Sequence, residues 1–349
     1  MNRRRHFLKT AVALGVAPFM INHATPKKTS SHGIIRPKRL EQGDTVAVIA
    51  PASSTFENED IKMAMEVVAS LGFKVKPGSH LFDRKGYLAG EDQDRANDLN
   101  RMFADPEVKG IFTLRGGYGT PRLLPYVDFD LIAKNPKPLV GYSDITALLN
   151  AIHLKTGLIT FHGPIANQNY TEYTLERFYK ILRDPLAPMV LGDLPPFIGR
   201  PGFIDRENRL VRVAKGKARG RLTGGNLSLL VKMMGTPYQP DFAGKILVLE
   251  DVGEKPYRID GMLTHLWLTG KLNELAGIVL GKFTDCDPDG PGSLSLETIF
   301  HERLTPLGIP VLRGLMIGHV ANQCTFPIGA EAELDVAAGT LTLLEPGVS

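Results

Sequence analysis

Ser143 stands where a strand-like pattern gives way to a helix-like one. The apolar run at Leu139–Val140 ends at Gly141, and apolar residues at helical spacing begin at Ile145. Such a turn exposes a hydroxyl and places backbone N–H groups at a helix N-terminus. Acyl transfer requires both, because the hydroxyl is the nucleophile and the N–H groups stabilise the oxyanion that forms. The Gly-x-Ser-x-Gly pattern is incomplete, because Ile145 replaces the second glycine. A serine here is also a favoured helix N-cap.

Three further segments carry residue types suited to the same chemistry. Glycines at 116, 117 and 119 follow a predicted strand and allow backbone N–H groups to approach a ligand, although an ordinary turn has this composition too. Glu250 ends an apolar run, where a carboxylate can orient a histidine, but exposed loop charges also occur there. His319 follows an apolar run and a glycine, and a lone histidine is often structural. Each segment alone is open to both interpretations.

Together and in this order, these segments resemble the LD-carboxypeptidase family of serine peptidases. The family includes muropeptide L,D-carboxypeptidases and microcin C self-immunity peptidases. The resemblance extends from about Ile34 to Leu344. Its markers are Arg-Gly-Gly-Tyr-Gly at 115–119, Gly-Tyr-Ser-Asp at 141–144, Gly-Gly-Asn-Leu at 224–227, Leu-Glu-Asp at 249–251, and Gly-His at 318–319 with Asn322 and Pro327.

The resemblance implies a catalytic triad. Ser143 is then the nucleophile, His319 the general base and later acid, and Glu250 the residue that orients the imidazole. The order Ser…Glu…His is one of several in which this geometry occurs. The usual reaction of the family releases the terminal D-alanine of a murein tetrapeptide and needs no metal or organic cofactor.

The same resemblance implies further site residues. The oxyanion hole is expected from the backbone N–H of Asp144 and one from the Gly116–Gly117 turn. The side chains expected to contact the substrate are those of Arg115, Tyr118 and Asn226. The implied partners are the murein peptide and a second copy of the chain, as a homodimer.

The elements that position these residues follow an alternating pattern. Strand patterns at 44–50, 73–76, 110–114 and 139–140 alternate with helical patterns at 59–71, at 92–103 and after Ser143. This alternation predicts an α/β fold with a parallel sheet covered on both faces. Ser53, Arg115 and Ser143 follow strands, at the carboxyl ends where such sheets bind ligands.

The length of the chain favours two domains. We predict an N-terminal parallel-sheet domain of flavodoxin- or amidotransferase-like type over 34–183, a proline- and glycine-rich linker over 184–202, and a smaller mixed α/β domain over 203–345. Ser143 falls in the first domain, whereas Glu250 and His319 fall in the second. The active site is therefore expected between the domains.

The N-terminus carries an export pattern. Arg4 and Arg5 precede an apolar run from Ala11 to Ile21, which is shorter than the ~20 residues that cross a bilayer. We predict a twin-arginine-type signal peptide over 1–24, and hence a periplasmic protein without an integral membrane segment after signal removal. The alternative is an uncleaved anchor or a plain basic tail.

Charge and composition exclude other classes. Four basic residues within 1–24 account for the whole formal charge of +4, so the mature chain gives no support for nucleic-acid binding. Cys286 and Cys324 form no disulfide framework and are either paired in an oxidising compartment or buried and unpaired. The scattered histidines are expected to be structural, with no metal site; they are His153, His162, His265 and His301.

Three functions are consistent with these patterns. The leading hypothesis is an exported serine carboxypeptidase acting on cell-wall peptides. The first alternative is an immunity-type amidase acting on a peptide antibiotic, which export disfavours because that antibiotic acts in the cytoplasm. The second is a non-catalytic muropeptide-binding protein, which has no need of serine, glutamate and histidine together. Export also departs from the family, whose recycling members act on muropeptides in the cytoplasm.

Overall fold

The computed structural model describes residues 33–288 and 290–349, which form two β-sheets with helices packed against them. The strands are β1 (Thr45–Ile49), β2 (Lys74–Pro77), β3 (Val108–Thr113), β4 (Leu139–Gly141), β5 (Thr160–His162), β6 (Met189–Leu191), β7 (Val211–Ala214), β8 (Lys217–Asn226), β9 (Ile246–Val252), β10 (Gly277–Thr284), β11 (Val311–Arg313), β12 (Phe326–Ile328), β13 (Glu331–Asp335) and β14 (Thr340–Leu343). The helices are α1 (Asn58–Ser70), α2 (Asp92–Ala104), α3 (Thr120–Leu123), α4 (Phe129–Lys134), α5 (Thr146–Thr156), α6 (Glu172–Leu182), α7 (Leu227–Met233), α8 (Pro256–Leu268) and α9 (Leu296–Leu304).

The first sheet has the strand order β12-β5-β4-β3-β1-β2. Its strands are parallel except β12, which pairs antiparallel with β5. The order β2-β1-β3-β4-β5 is the flavodoxin-like arrangement, in which ligands bind where the strand order reverses, between β1 and β3. The predicted parallel-sheet fold of the N-terminal half is confirmed.

The second sheet has the order β6-β14-β13-β8-β9-β10-β11-β7. Its four central strands, β8 to β11, are parallel, and antiparallel strands flank them on both sides. Residues 246–251 of β9 are all buried, as expected of a parallel strand covered on both faces. The mixed α/β fold predicted for the C-terminal half is therefore also confirmed.

The two halves of the chain share elements. Strand β12, from the second half, lies in the first sheet beside β5. Strand β6 falls within the predicted linker range 184–202 and pairs with β14. The main hydrophobic core includes Leu148 and Phe161 from the first half together with Ile246 and Leu334 from the second. The predicted domain limits stay a prediction, while the structure shows that packing is continuous across them.

The predicted signal peptide, residues 1–24, lies outside the described residues. No helix among residues 33–288 and 290–349 combines the length and apolar composition needed to span a membrane.

A buried asparagine joins α5 to β8. The amide of Asn150 donates to the Gly224 carbonyl at 2.9 Å, and its oxygen faces the Gly224 N–H and the Thr223 hydroxyl at 3.3 Å. The Asn226 N–H donates to Thr146 Oγ1, at the start of α5, at 3.0 Å. These bonds hold the helix that follows Ser143 against the sheet that carries Glu250.

We predict that Asn150→Leu lowers the free energy of unfolding by roughly 1–3 kcal/mol, because it leaves buried backbone groups of Gly224 without partners. Urea unfolding followed by circular dichroism measures this change. Asn273→Leu, at an exposed asparagine, is the matched control and is expected to change stability by no more than about 0.5 kcal/mol. Equal midpoints for Asn150→Leu and the wild type would contradict the bridging role.

Candidate active site

Ser143 begins a single 3₁₀ turn, Ser143–Ile145, which joins β4 to α5. Its φ is +62°, a left-handed conformation that costs a non-glycine residue about 1–3 kcal/mol and that often occurs at functional sites. No side chain caps the turn or α5, so the interpretation of Ser143 as an N-cap is wrong. A strained serine between a strand and a helix has the geometry of a nucleophile elbow.

Buried hydrogen bonds fix the turn. The Thr120 N–H donates to Asp144 Oδ2 at 2.7 Å, and the Thr120 hydroxyl donates to the Asp144 carbonyl. On the preceding strand, Thr113 Oγ1 donates to the Val140 carbonyl at 3.1 Å. Burial raises the pKa of Asp144 above its ordinary value, although the bonds from Thr120 oppose that rise. The side chain of Asp144 is thus an internal brace for the turn.

The glycine turn after β3 packs directly against Ser143. A Cβ added at Gly116 would lie 2.9 Å from Ser143 Oγ and 3.3 Å from the backbone nitrogen of Asp144. Gly117 has φ +107°, and a Cβ there would lie 2.5 Å from Ser53 Oγ. Only glycine allows this close approach. The structure brings together the groups predicted for the oxyanion hole, whose role stays a prediction.

His319 is held by Glu250. The imidazole Nδ1 lies 2.7 Å from Glu250 Oε2, and the Glu250 side chain has no exposed surface. The interpretation of Glu250 as an exposed loop charge is therefore wrong. Gly318 has φ +119°, and a Cβ there would lie 2.9 Å from Glu250 Oε2. The Thr284 hydroxyl donates to the His319 carbonyl at 2.9 Å and fixes the backbone on the other side.

Two histidines keep Glu250 ionised. Burial on its own raises the pKa of this carboxyl, but the contacts with His162 and His319 outweigh burial and lower the pKa to about 2. A carboxylate only accepts hydrogen bonds, so His319 donates through Nδ1–H. Its Nε2 is then the nitrogen available to act as a base.

Tyr142 connects His319 to the Ser143 turn. Its ring centroid lies 4.8 Å from that of His319, and its backbone is bonded to Ser143. Burial raises the pKa of Tyr142 to about 12, so its phenol is neutral near pH 7. Tyr142 thus lies between the Ser143 turn and the Glu250–His319 pair, and the role of the three residues as a catalytic triad stays a prediction.

A pocket of about 260 Å³ adjoins the glycine turn, and Ser53, Arg84, Tyr87 and Arg115 are among its lining residues. The Arg115 guanidinium donates to the Ser54 carbonyl at 3.2 Å. That of Arg84 donates to the Thr55 carbonyl at 3.1 Å and to Asn58 Oδ1 at 2.8 Å. Neither arginine forms an ion pair with a carboxylate among the described residues. The pocket thus presents two positive charges that no carboxylate of the described part of the chain pairs with.

The other two residues predicted to contact substrate, Tyr118 and Asn226, are not among the residues that line this pocket. Tyr118 is exposed, and its ring packs edge-on against Tyr87, with 5.3 Å between centroids. Asn226 is buried, with its amide donating to Asp251 Oδ1 at 2.9 Å and its oxygen accepting from the Leu229 N–H at 3.2 Å. Asn226 therefore caps α7, and its contact with substrate stays a prediction.

His162 is a site residue that the sequence analysis missed. It was expected to be a lone structural histidine, yet its Nε2 lies 3.7 Å from Glu250 Oε1 and its side chain is fully buried. A usable signal was present in Thr160-Phe161-His162-Gly163-Pro164, where histidine ends a short apolar run just before glycine and proline.

The described residues contain one group with metal-ligand atoms close together, namely His80, Asp83 and Asp94. His80 Nδ1 lies 2.7 Å from Asp83, whereas its other nitrogen lies 3.8 Å from Asp94. The hydrogen bond to Asp83 raises the pKa of His80. The group is therefore a hydrogen-bonded pair of His80 and Asp83 with a second carboxylate, that of Asp94, nearby. Cys286 and Cys324 are both buried and unpaired.

Comparison with known proteins finds relatives of one family over most of the chain. Residues 46–163 match the LD-carboxypeptidase N-terminal domain, and residues 219–334 match the LD-carboxypeptidase C-terminal domain. The probable murein peptide carboxypeptidase of Bacillus subtilis (strain 168) is 42% identical over 317 residues, which cover 90% of this chain and 95% of that protein.

Two solved structures have similar folds. The microcin C7 self-immunity protein MccF, in complex with glutamyl sulfamoyl guanosine, matches with a TM-score of 0.81 and 28% identity, covering 90% of this chain and 99% of that one. The muramoyltetrapeptide carboxypeptidase of Oxalobacter formigenes matches with a TM-score of 0.73 and 31% identity, covering 86% and 99% respectively. This chain belongs to the LD-carboxypeptidase family.

Proposed function

We propose that this protein is a serine-type L,D-carboxypeptidase that releases the terminal D-alanine from murein tetrapeptides. The observation that carries the proposal is the 2.7 Å contact between Glu250 and His319, together with the packing of His319 against Tyr142, the residue before the strained Ser143. The names of relatives such as the muramoyltetrapeptide carboxypeptidase of Oxalobacter formigenes support the substrate class.

The chemistry follows from this arrangement. His319 Nε2 takes the proton of Ser143 Oγ as the oxygen attacks the carbonyl carbon of the scissile amide. The same imidazole then gives the proton to the nitrogen of D-alanine, which leaves, and the shortened peptide stays as an ester on Ser143. A water molecule, deprotonated by His319, hydrolyses the ester and restores the serine. Glu250 stabilises the imidazolium that forms in both steps.

The tetrahedral intermediate carries a negative charge on the former carbonyl oxygen. In the proposed mechanism the backbone N–H of Asp144 and one from the Gly116–Gly117 turn donate to that oxygen. Their position beside Ser143 Oγ supports this role. Removal of one such donor in other hydrolases costs about 10²–10³ in rate, so this turn carries much of the expected catalytic power.

The pocket with Arg84 and Arg115 is the proposed site for carboxylates of the murein peptide. Murein tetrapeptides carry several carboxylates, and guanidinium groups form strong paired hydrogen bonds with them. The two guanidinium groups are held by neutral acceptors, so no protein carboxylate has to be displaced. Tyr87 and Tyr118 add an exposed aromatic wall beside this pocket.

The place of action is part of the proposal. Export through the twin-arginine route would give Ser143 access to periplasmic peptidoglycan or its shed fragments. The arginine pair and the following apolar run support this route. The homodimer implied by the family resemblance stays a prediction.

We predict that Ser143→Ala and His319→Ala each lower kcat for D-alanine release by roughly 10⁴-fold or more, and that the double variant is little worse, because triad members act as a unit. Glu250→Gln is expected to lower kcat by less, because Glu250 orients the base and does not itself bond to the substrate. Steady-state kinetics with murein tetrapeptide measure these losses. Ser70→Ala, at an exposed serine of α1, is the matched control with unchanged kcat. Substantial activity in Ser143→Ala would rule out this mechanism.

We predict that Arg115→Gln raises KM for murein tetrapeptide by about tenfold with little change in kcat, because it removes binding that substrate and transition state share. The control is Arg101→Gln, at an exposed arginine of α2 that donates to Ser79. An unchanged KM for Arg115→Gln would show that this pocket does not bind the substrate.

Replacement of Arg4 and Arg5 by Lys is expected to leave precursor in the cytoplasm, because it keeps the charge but removes the pair that the twin-arginine route recognises. Cell fractionation with immunoblotting measures delivery. The control Arg3→Lys keeps the pair and should be exported normally. Undiminished delivery of the Lys-Lys variant would exclude the twin-arginine route while leaving general secretion possible.

A further inference from the structure

His162 occupies an unusual place beneath the proposed triad. It is the last residue of β5, and its backbone lies opposite Gly141 of β4 on one side and Phe326 of β12 on the other. Its ring stacks on that of Phe326, with 4.8 Å between centroids and 24° between planes. The Tyr142 ring lies edge-on at 5.9 Å. The imidazole is therefore locked between two aromatic rings, with no exposed surface.

The polar atoms of this ring lack ordinary partners. Three buried atoms have no hydrogen-bond partner among the described residues. They are His162 Nδ1, His162 Nε2 and Glu250 Oε1. Buried polar atoms in folded proteins almost always have a partner, because an unpaired one costs about 1–3 kcal/mol. His162 Nε2 and Glu250 Oε1 face each other at 3.7 Å. A shift of less than 1 Å would join them, and each is the partner that the other lacks.

We propose that His162 is a positioning residue, which donates its Nε2–H to Glu250 Oε1 and thereby fixes the carboxylate so that Oε2 receives His319. This inference rests on the proposed function of the same site. The carboxylate then has one imidazole on each oxygen, and neither oxygen is left as an unpaired buried acceptor. Rotation of the Glu250 carboxylate away from His319 would break both contacts together.

The role differs from that of a catalytic residue. His162 is buried behind Glu250 and beside Phe326, so it does not reach the substrate. Its Nδ1 has no hydrogen-bond partner among the described residues, so Glu250 Oε1 is the acceptor that its N–H can reach. The proton that moves during catalysis stays on the Ser143–His319 side. Loss of His162 should therefore slow the chemical step without weakening substrate binding.

Two substitutions separate the hydrogen bond from the packing. His162→Phe keeps a planar ring against Phe326 but removes the donor, and kcat is expected to fall about 10- to 100-fold, as for other residues that orient an active-site ligand, with KM unchanged. His162→Gln places an amide N–H near the position of Nε2 and is expected to recover most of the lost kcat. Thermal unfolding of both variants shows whether the fold is intact.

A double-mutant cycle distinguishes positioning from general packing. Because His162 acts through Glu250, His162→Phe should cost little further kcat in a Glu250→Gln background. The matched control is His153→Phe, which removes another packed imidazole, one bonded to the Leu158 carbonyl, and should leave kcat unchanged. Full wild-type kcat in His162→Phe, or an equal loss in the Glu250→Gln background, would overturn the proposal.

The rate at which a fluorophosphonate probe labels Ser143 gives a readout that does not depend on the substrate. If the wild type is labelled but leaves murein tetrapeptide intact, the proposed substrate is wrong. Slower labelling of His162→Phe and recovery in His162→Gln would then still support the positioning role, whereas equal labelling rates would refute it. If the wild type is not labelled at Ser143 at all, the active nucleophile is absent and both proposals fail.

Discussion

A carboxylate with no exposed surface, that of Glu250, is the constraint around which the site is arranged. An ionised group taken out of water is costly unless it is paired and hydrogen-bonded. Here His319 lies 2.7 Å from one oxygen, and the His162 ring faces the other at 3.7 Å. Gly318 also packs directly against the Glu250 side chain, which is possible only because glycine has no side chain, and this helps to exclude water from the carboxylate. The positions of β5, β9 and the segment after β11 are thus mutually dependent.

This constraint explains why the two sheets share elements. The Ser143 turn follows β4 of the first sheet, whereas Glu250 belongs to β9 of the second. The proposed proton transfer requires that their relative position be held closely. Strand β12 pairs with β5 in the first sheet, and Asn150 ties α5 to β8 in the second. The site geometry is therefore a property of the continuous core.

Local patterns in the sequence predicted much of this structure, and their limits have a physical cause. Continuous apolar runs marked β1, β3 and β9, whereas the set of Ser143, Glu250 and His319 came from the family resemblance and stays a prediction. The same patterns did not predict that β12 joins the first sheet or that β6 forms within a proline- and glycine-rich range, because pairing between distant segments leaves no local periodicity. Burial of Glu250 and its contact with His162 depend on that pairing, so the sequence alone does not distinguish His162 from a lone structural histidine.

Incubation of the purified protein with murein tetrapeptide, followed by mass spectrometry of the products, tests the proposed peptidase reaction. We expect a product shorter by one alanine residue, equimolar free D-alanine, and neither product with the Ser143→Ala variant. Unchanged tetrapeptide after incubation with the wild type, cleavage at a different bond, or equal release by Ser143→Ala would contradict it.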